Sequence, residues 1–126
     1  MLLLSLLFSA QAERPTEGGL FSFDASDDVL YYEEGMVRVH YSISGNNQTI
    51  LDDVDASGVP DFVEVVAHTA NDVLDTYAAM GFLYPLSESD VGLSPLGGSD
   101  AFDFYLVDFG GNSDGMFGMD GCRGTT

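Results

Sequence analysis

Apolar and polar residues alternate over residues 36–43, with Val37, Val39, Tyr41 and Ile43 on one side and Arg38, His40 and Ser42 on the other. A period of two predicts a strand with one buried and one solvated face. After residue 60 the period lengthens. Phe62, Val66, Ala70, Val73, Leu74 and Tyr77 recur at steps of three and four, and Glu64, His68, Asn71, Asp72 and Asp75 take the opposite side. This predicts an amphipathic helix over 61–80, with Asp61 and Glu64 in the first turn, where the helix dipole favours negative charge. Gly81 predicts the stop, and Phe82 an apolar contact back onto the last turn. Alternation returns over 101–109, where Phe102, Phe104 and Leu106 oppose Asp103, Tyr105, Val107 and Phe109. Apolar groups on both faces predict a strand in the interior of a sheet. Gly45-Asn46-Asn47 reads as a turn, and 85–98 as a long polar connection. The order strand, loop, helix, loop, strand predicts a small α+β or α/β unit whose two strands suit a parallel arrangement across the helix. Two strands and one helix make a thin core, so the unit reads as an incomplete portion of a larger domain.

The flanks carry a different signal. Residues 1–12 form an apolar run ending in Ala10-Gln11-Ala12, which predicts a signal peptide cleaved after Ala12 and a secreted or periplasmic protein. That run is shorter than the ~20 residues needed to span a membrane, and no later segment approaches that length. Residues 13–35 read as an extended, propeptide-like leader with apolar patches at Leu20-Phe21-Ser22-Phe23 and Val29-Leu30-Tyr31-Tyr32. The main body is 36–126. Across the 126 residues, 21 acids face only Arg14, Arg38 and Arg123, for a net charge of −18. Such a charge excludes nucleic acid and anionic membrane as partners, and also suits a surface solvated in salty water. Cys122 stands alone, so it either pairs outside the chain or is a buried thiol.

Residues 53–64 read Asp-Val-Asp-Ala-Ser-Gly-Val-Pro-Asp-Phe-Val-Glu. Counted from Asp53, oxygen-bearing side chains fall at positions 1, 3, 5, 9 and 12, and glycine falls at position 6. That is the spacing of an EF-hand-like calcium loop. A hard cation of this size takes six to eight oxygens at ~2.4 Å, and a chain supplies them when alternate side chains point inward around a sharp bend. Asp53, Asp55, Ser57, the Val59 carbonyl, Asp61 and Glu64 are the predicted metal ligands, and the role predicted for the ion is structural. The same run could instead be an acidic turn capping the helix. Its carboxylates would then repel one another, with no lysine or arginine close in sequence. Ser57 is a weaker ligand than Asp or Asn. Pro60 lacks the N–H with which paired loops join, so the site reads as solitary, with a dissociation constant of about 10⁻⁵ to 10⁻³ M. A looser acidic group, Asp108, Asn112, Asp114 and Asp120, is a weaker candidate for a second cation.

Catalytic chemistry is sparse. His40 and His68 are the only histidines, and neither H-E-x-x-H nor Gly-x-Ser-x-Gly occurs, so the common protein-ligated zinc site cannot be built from these residues. Both histidines read as surface residues, and nothing distinguishes Glu33 and Glu34 from surface charge. The run Val37-Arg38-Val39-His40-Tyr41, the loop with its Gly58-Val59-Pro60-Asp61-Phe62-Val63-Glu64 segment, the helix ending Met80-Gly81-Phe82 and the strand Phe102-Asp103-Phe104-Tyr105-Leu106-Val107-Asp108 together resemble the N-terminal part of a family of secreted metalloproteases first noted in myxobacteria. The resemblance covers roughly residues 36–119. It implies that the zinc-binding H-E-x-x-H helix lies downstream of this chain, together with the surface that meets a protein or peptide substrate. It also implies that this chain by itself is inactive, and it assigns no zinc ligand or general base here. The rival expectation is a stand-alone secreted calcium-binding or adhesion module.

Overall fold

The structure is a computed structural model that describes residues 22–95, 97–111 and 115. It is an α+β arrangement, with a three-stranded sheet and one helix laid across it. Strand β1 (Val29–Glu34) turns through Gly35 and Met36 into β2 (Val37–Ser42), and the two pair antiparallel from Val29 opposite Ser42 to Glu34 opposite Val37. Helix α1 (Asp61–Ala79) carries the chain across the sheet to β3 (Phe102–Tyr105), which pairs parallel with β2, Val37 opposite Phe102 and His40 opposite Tyr105. A parallel pair needs such a crossover because no tight turn can join it. The expected parallel pairing of the 36–43 and 101–109 strands is therefore present, with a third strand added on the far side.

The core lies between β2 and α1. Val37, Val39 and Tyr41 project from one side of β2 and meet Val63, Ala67 and Ala70, with Tyr32, Ile43, Val59, Val66, Leu74, Phe104 and Leu106 around them. Val37, Val39 and Val63 are fully buried, and each contributes about 2 kcal/mol by leaving water. The small Ala67 and Ala70 keep the helix close to the strand.

Three expectations are revised. Residues 29–34 lie inside the stretch expected to be an extended leader, yet they form an edge strand of the sheet. Strand β2 is buried on both faces rather than one, and it is central, whereas β3 lies at an edge among the described residues. The helix presents a different seam. Val63, Ala67 and Ala70 are buried, but Phe62, Val73 and Tyr77 of the expected stripe are exposed. A three-stranded sheet covers only a narrow strip of a helix, and small residues let that strip approach most closely.

The second face of β2 explains its burial. The Arg38 Nε donates to Glu33 Oε2 at 2.7 Å and its Nη1 to the Gly97 carbonyl at 2.7 Å, while the guanidinium lies 4.2 Å from the Tyr31 ring centroid. His40 Nε2 lies 2.8 Å from Asp103 Oδ1, and its ring stacks on Tyr105 with centroids 4.4 Å apart. Gly97 and Gly98 make this closure possible: a Cβ at Gly97 would overlap the Asp103 carboxylate, and one at Gly98 would stand 2.6 Å from Arg38 Nη1. The chain before β1 is fastened by Asn47, whose Nδ2 donates to Asp27 Oδ2 at 2.6 Å and whose Oδ1 accepts from the Asp108 N–H at 2.8 Å. Burial raises the Asp27 pKa, but hydrogen bonds from the Asp24 N–H and from Asn47 outweigh it and leave the carboxyl below its ordinary value. No helix among the described residues is long and apolar enough to cross a membrane.

Candidate metal centre

The segment between β2 and α1 closes on itself before the helix starts. The Asp61 N–H donates to the Asp52 carbonyl at 2.8 Å, so the ends of the loop meet at the first residue of α1. Pro60 is the N-cap residue, and its carbonyl accepts from the N–H groups of Val63 and Glu64. Within the loop the amides turn inward onto the acids. Asp53 accepts from the Ser57 N–H at 3.0 Å and the Gly58 N–H at 2.9 Å. Asp55 accepts from the Ser57 N–H at 3.0 Å, and both oxygens of Asp61 accept from the Val54 N–H at 3.2 Å. Ser57 Oγ donates to the Val59 carbonyl at 3.2 Å.

This inward winding uses two left-handed residues, Gly58 at φ 89° and Ala56 at φ 58°. Glycine takes such a conformation without penalty, but alanine does so at a cost, and Ala56 is the one non-glycine residue with positive φ among those described. The result is that one oxygen each from Asp53, Asp55 and Asp61 lies within 4.8 Å of the others. Among the described residues this is the one group of three or more acidic, histidine or cysteine side chains so arranged. Hard carboxylate oxygens suit calcium or magnesium rather than a metal that prefers nitrogen or sulfur.

Of the six predicted ligands, five lie on this bend: Asp53, Asp55 and Asp61 converge, and Ser57 and the Val59 carbonyl are joined by their own hydrogen bond. Glu64 is not in the converging group. It faces a shallow groove of about 540 Å3 between β1 and α1, lined also by Tyr32, Glu34, Asp61, Val65, His68 and Thr69. Burial, then the neighbouring Glu34 carboxylate, pushes the Tyr32 phenol above its ordinary pKa. His68 is on the surface, as expected, with Nδ1 3.4 Å from Glu34 and Nε2 3.6 Å from Asp72.

His40 is not a surface residue. It is buried against Asp103, and the sequence offers no signal for that contact because the two lie 63 positions apart and meet only through the parallel register. Glu33 likewise has a role: the hydrogen bond from Arg38, helped by Ser99, holds its carboxyl below the usual range. Of the looser acidic group, Asp108 is exposed near Asn47, while Asn112, Asp114 and Asp120 lie outside the described residues, as do Cys122 and residues 1–12. No family model, curated protein or solved structure matches this chain.

Proposed function

We propose that residues 53–64 are a structural calcium-binding loop that fixes the junction between β2 and α1. The convergence of Asp53, Asp55 and Asp61 within 4.8 Å carries this reading. Three like charges that close together repel unless a cation intervenes, and Arg38, the one arginine among the described residues, is committed to Glu33 and Gly97. The ligand set is Asp53, Asp55, Ser57, the Val59 carbonyl, Asp61 and, after a rotation out of the groove, Glu64. A calcium ion there would neutralise the start of α1 and stabilise the folded state by mass action. Thermal unfolding in millimolar calcium and in EGTA tests the reading. The melting temperature should rise with calcium, and an Asp53→Ala, Glu64→Ala double variant should lose the rise. Equal melting temperatures for the parent in both conditions would refute it.

The wider setting we propose is an exported, zinc-peptidase-like protein, supported by the resemblance of residues 36–119 to secreted metalloproteases. In that setting this portion is scaffold, and zinc and substrate are handled by other residues. Zinc-dependent casein cleavage by residues 1–126 alone would contradict the division.

A further inference from the structure

The C-terminal end of α1 bears a second feature, separate from the acidic loop. The chain reverses at Gly81, whose N–H donates to the Ala78 carbonyl, and the Phe82 N–H donates to the Tyr77 carbonyl at 3.0 Å. Phe82 consequently packs edge-on against Tyr77, ring centroids 5.6 Å apart. Leu74, Tyr77, Phe82, Leu83, Tyr84 and Pro85 line a cleft of about 310 Å3. Its rim is apolar and open to water: Phe82 is 60 % exposed and Leu83 94 %, with Met80 and Leu86 exposed beside them. Contiguous apolar surface of this kind is uncommon on a protein with nothing to bind.

The electrostatics of the cleft narrow the choice of occupant. A helix C-terminus is the negative end of its dipole, ordinarily complemented by Lys or Arg, yet α1 has no basic residue in its last turn. Asp75 adds negative charge near the helix end, where its carboxylate accepts a 2.8 Å hydrogen bond from Tyr84 Oη at the cleft itself. A second copy of the chain, at net charge −18, would be repelled. We propose that this cleft docks a segment of another protein that presents an apolar side chain next to lysine or arginine. The apolar anchor enters between Tyr77 and Leu83, and the cation complements Asp75 and the helix end.

The test uses two fluorescein-labelled amphipathic helical peptides with the same leucines, one with lysine and one with glutamate at the intervening positions, and reads anisotropy at 150 mM salt. The lysine peptide should bind saturably at 1:1 and the glutamate peptide should not. Leu83→Asp should weaken the lysine peptide by about tenfold or more, as loss of a central anchor does. Because that variant adds negative charge, attraction by net charge alone would tighten binding instead, so the sign of the change decides the proposal. Leu83 is nearly fully exposed, and an unchanged far-UV circular dichroism spectrum will show that the variant folds. Asp75→Asn should weaken the lysine peptide and flatten its salt dependence. Equal or tighter binding to Leu83→Asp would overturn the proposal. So would no binding to the parent, or a dimer in sedimentation velocity that Leu83→Asp dissolves.

Discussion

On the face of β2 turned away from α1, Glu33 lies 2.7 Å from Arg38 Nε and Asp103 2.8 Å from His40 Nε2, so each acid meets a nitrogen supplied by the neighbouring strand. In the loop, Asp53, Asp55 and Asp61 receive only backbone N–H groups and stand within 4.8 Å of one another. One region gives each acid a side-chain nitrogen from within the chain, whereas the acids of the other meet only backbone N–H groups. Acidity in this molecule thus has two physical meanings. Partnered acids fasten strands and close the sheet. Converging acids repel one another, and in the function proposed above a cation relieves that repulsion. The contrast also separates burial from binding: Arg38, His40 and Asp103 are largely buried beside the Gly97–Gly98 segment, with Glu33 half-exposed at its edge, but the loop lies at the surface, where an ion can enter and leave.

Removing one side of a partnered pair should have the largest effect. Arg38→Met leaves the Gly97 carbonyl without its side-chain donor and Glu33 with only Ser99, and urea unfolding should show a loss of about 3 kcal/mol, with calcium stabilisation unchanged. An equal loss of calcium response would mean that the two regions are coupled and would break the comparison. Calcium should come next. At a concentration one hundred times its dissociation constant it stabilises the parent by about 2.7 kcal/mol, seen as a shift of the urea midpoint at constant slope. Asn47→Ala should cost about 2 kcal/mol, because it removes the bonds to Asp27 and to the Asp108 N–H at a buried position.

Smaller effects sharpen the contrast further. Asp55→Asn should be neutral or stabilising by about 0.5 kcal/mol in EGTA, since it relieves repulsion, but destabilising relative to the parent in calcium. An equal loss of stability in both conditions would show that Asp55 acts without an ion. Ala56→Gly should stabilise the ion-free protein by about 0.5 kcal/mol, because glycine accepts φ 58° without the alanine penalty. Glu33 should contribute least. Its folded pKa is depressed, so its contribution is complete above the ordinary carboxylate range and disappears as the pH falls through the lowered value. Solvent screening at this half-exposed side chain limits it to about 0.5 kcal/mol. Stability of Glu33→Gln against pH should be flatter than the parent's only in that acidic window.

Local chemistry was legible where it depends on neighbours in sequence. The α1 boundaries followed from acids at its start and Gly81 at its end, and the structure places the helix at Asp61–Ala79. The convergence of Asp53, Asp55 and Asp61 followed from alternate inward residues and a glycine bend, both properties of a short segment. The alternation of residues 37–42 correctly gave a strand but not its depth. Arg38 and His40 look solvent-bound until residues 97–103, some sixty positions later, fold over them. Residues 29–34 carry too little alternation to declare a strand, and their pairing is decided by a hairpin with β2. Which strip of α1 faces inward was likewise invisible, because sheet width and the small Ala67 and Ala70 select it from a broader apolar stripe.

The amino-acid order by itself determined the elements, the acidic bend and the excess of negative charge, because these rest on period, spacing and count. Only the tertiary structure decided which strand is central, which acids acquire a side-chain nitrogen as partner, which stay crowded together, and that Glu64 lines the groove and stands outside the converging group. Those outcomes depend on contacts between residues far apart in the chain, where geometry in space, rather than distance along the sequence, sets the interaction energy.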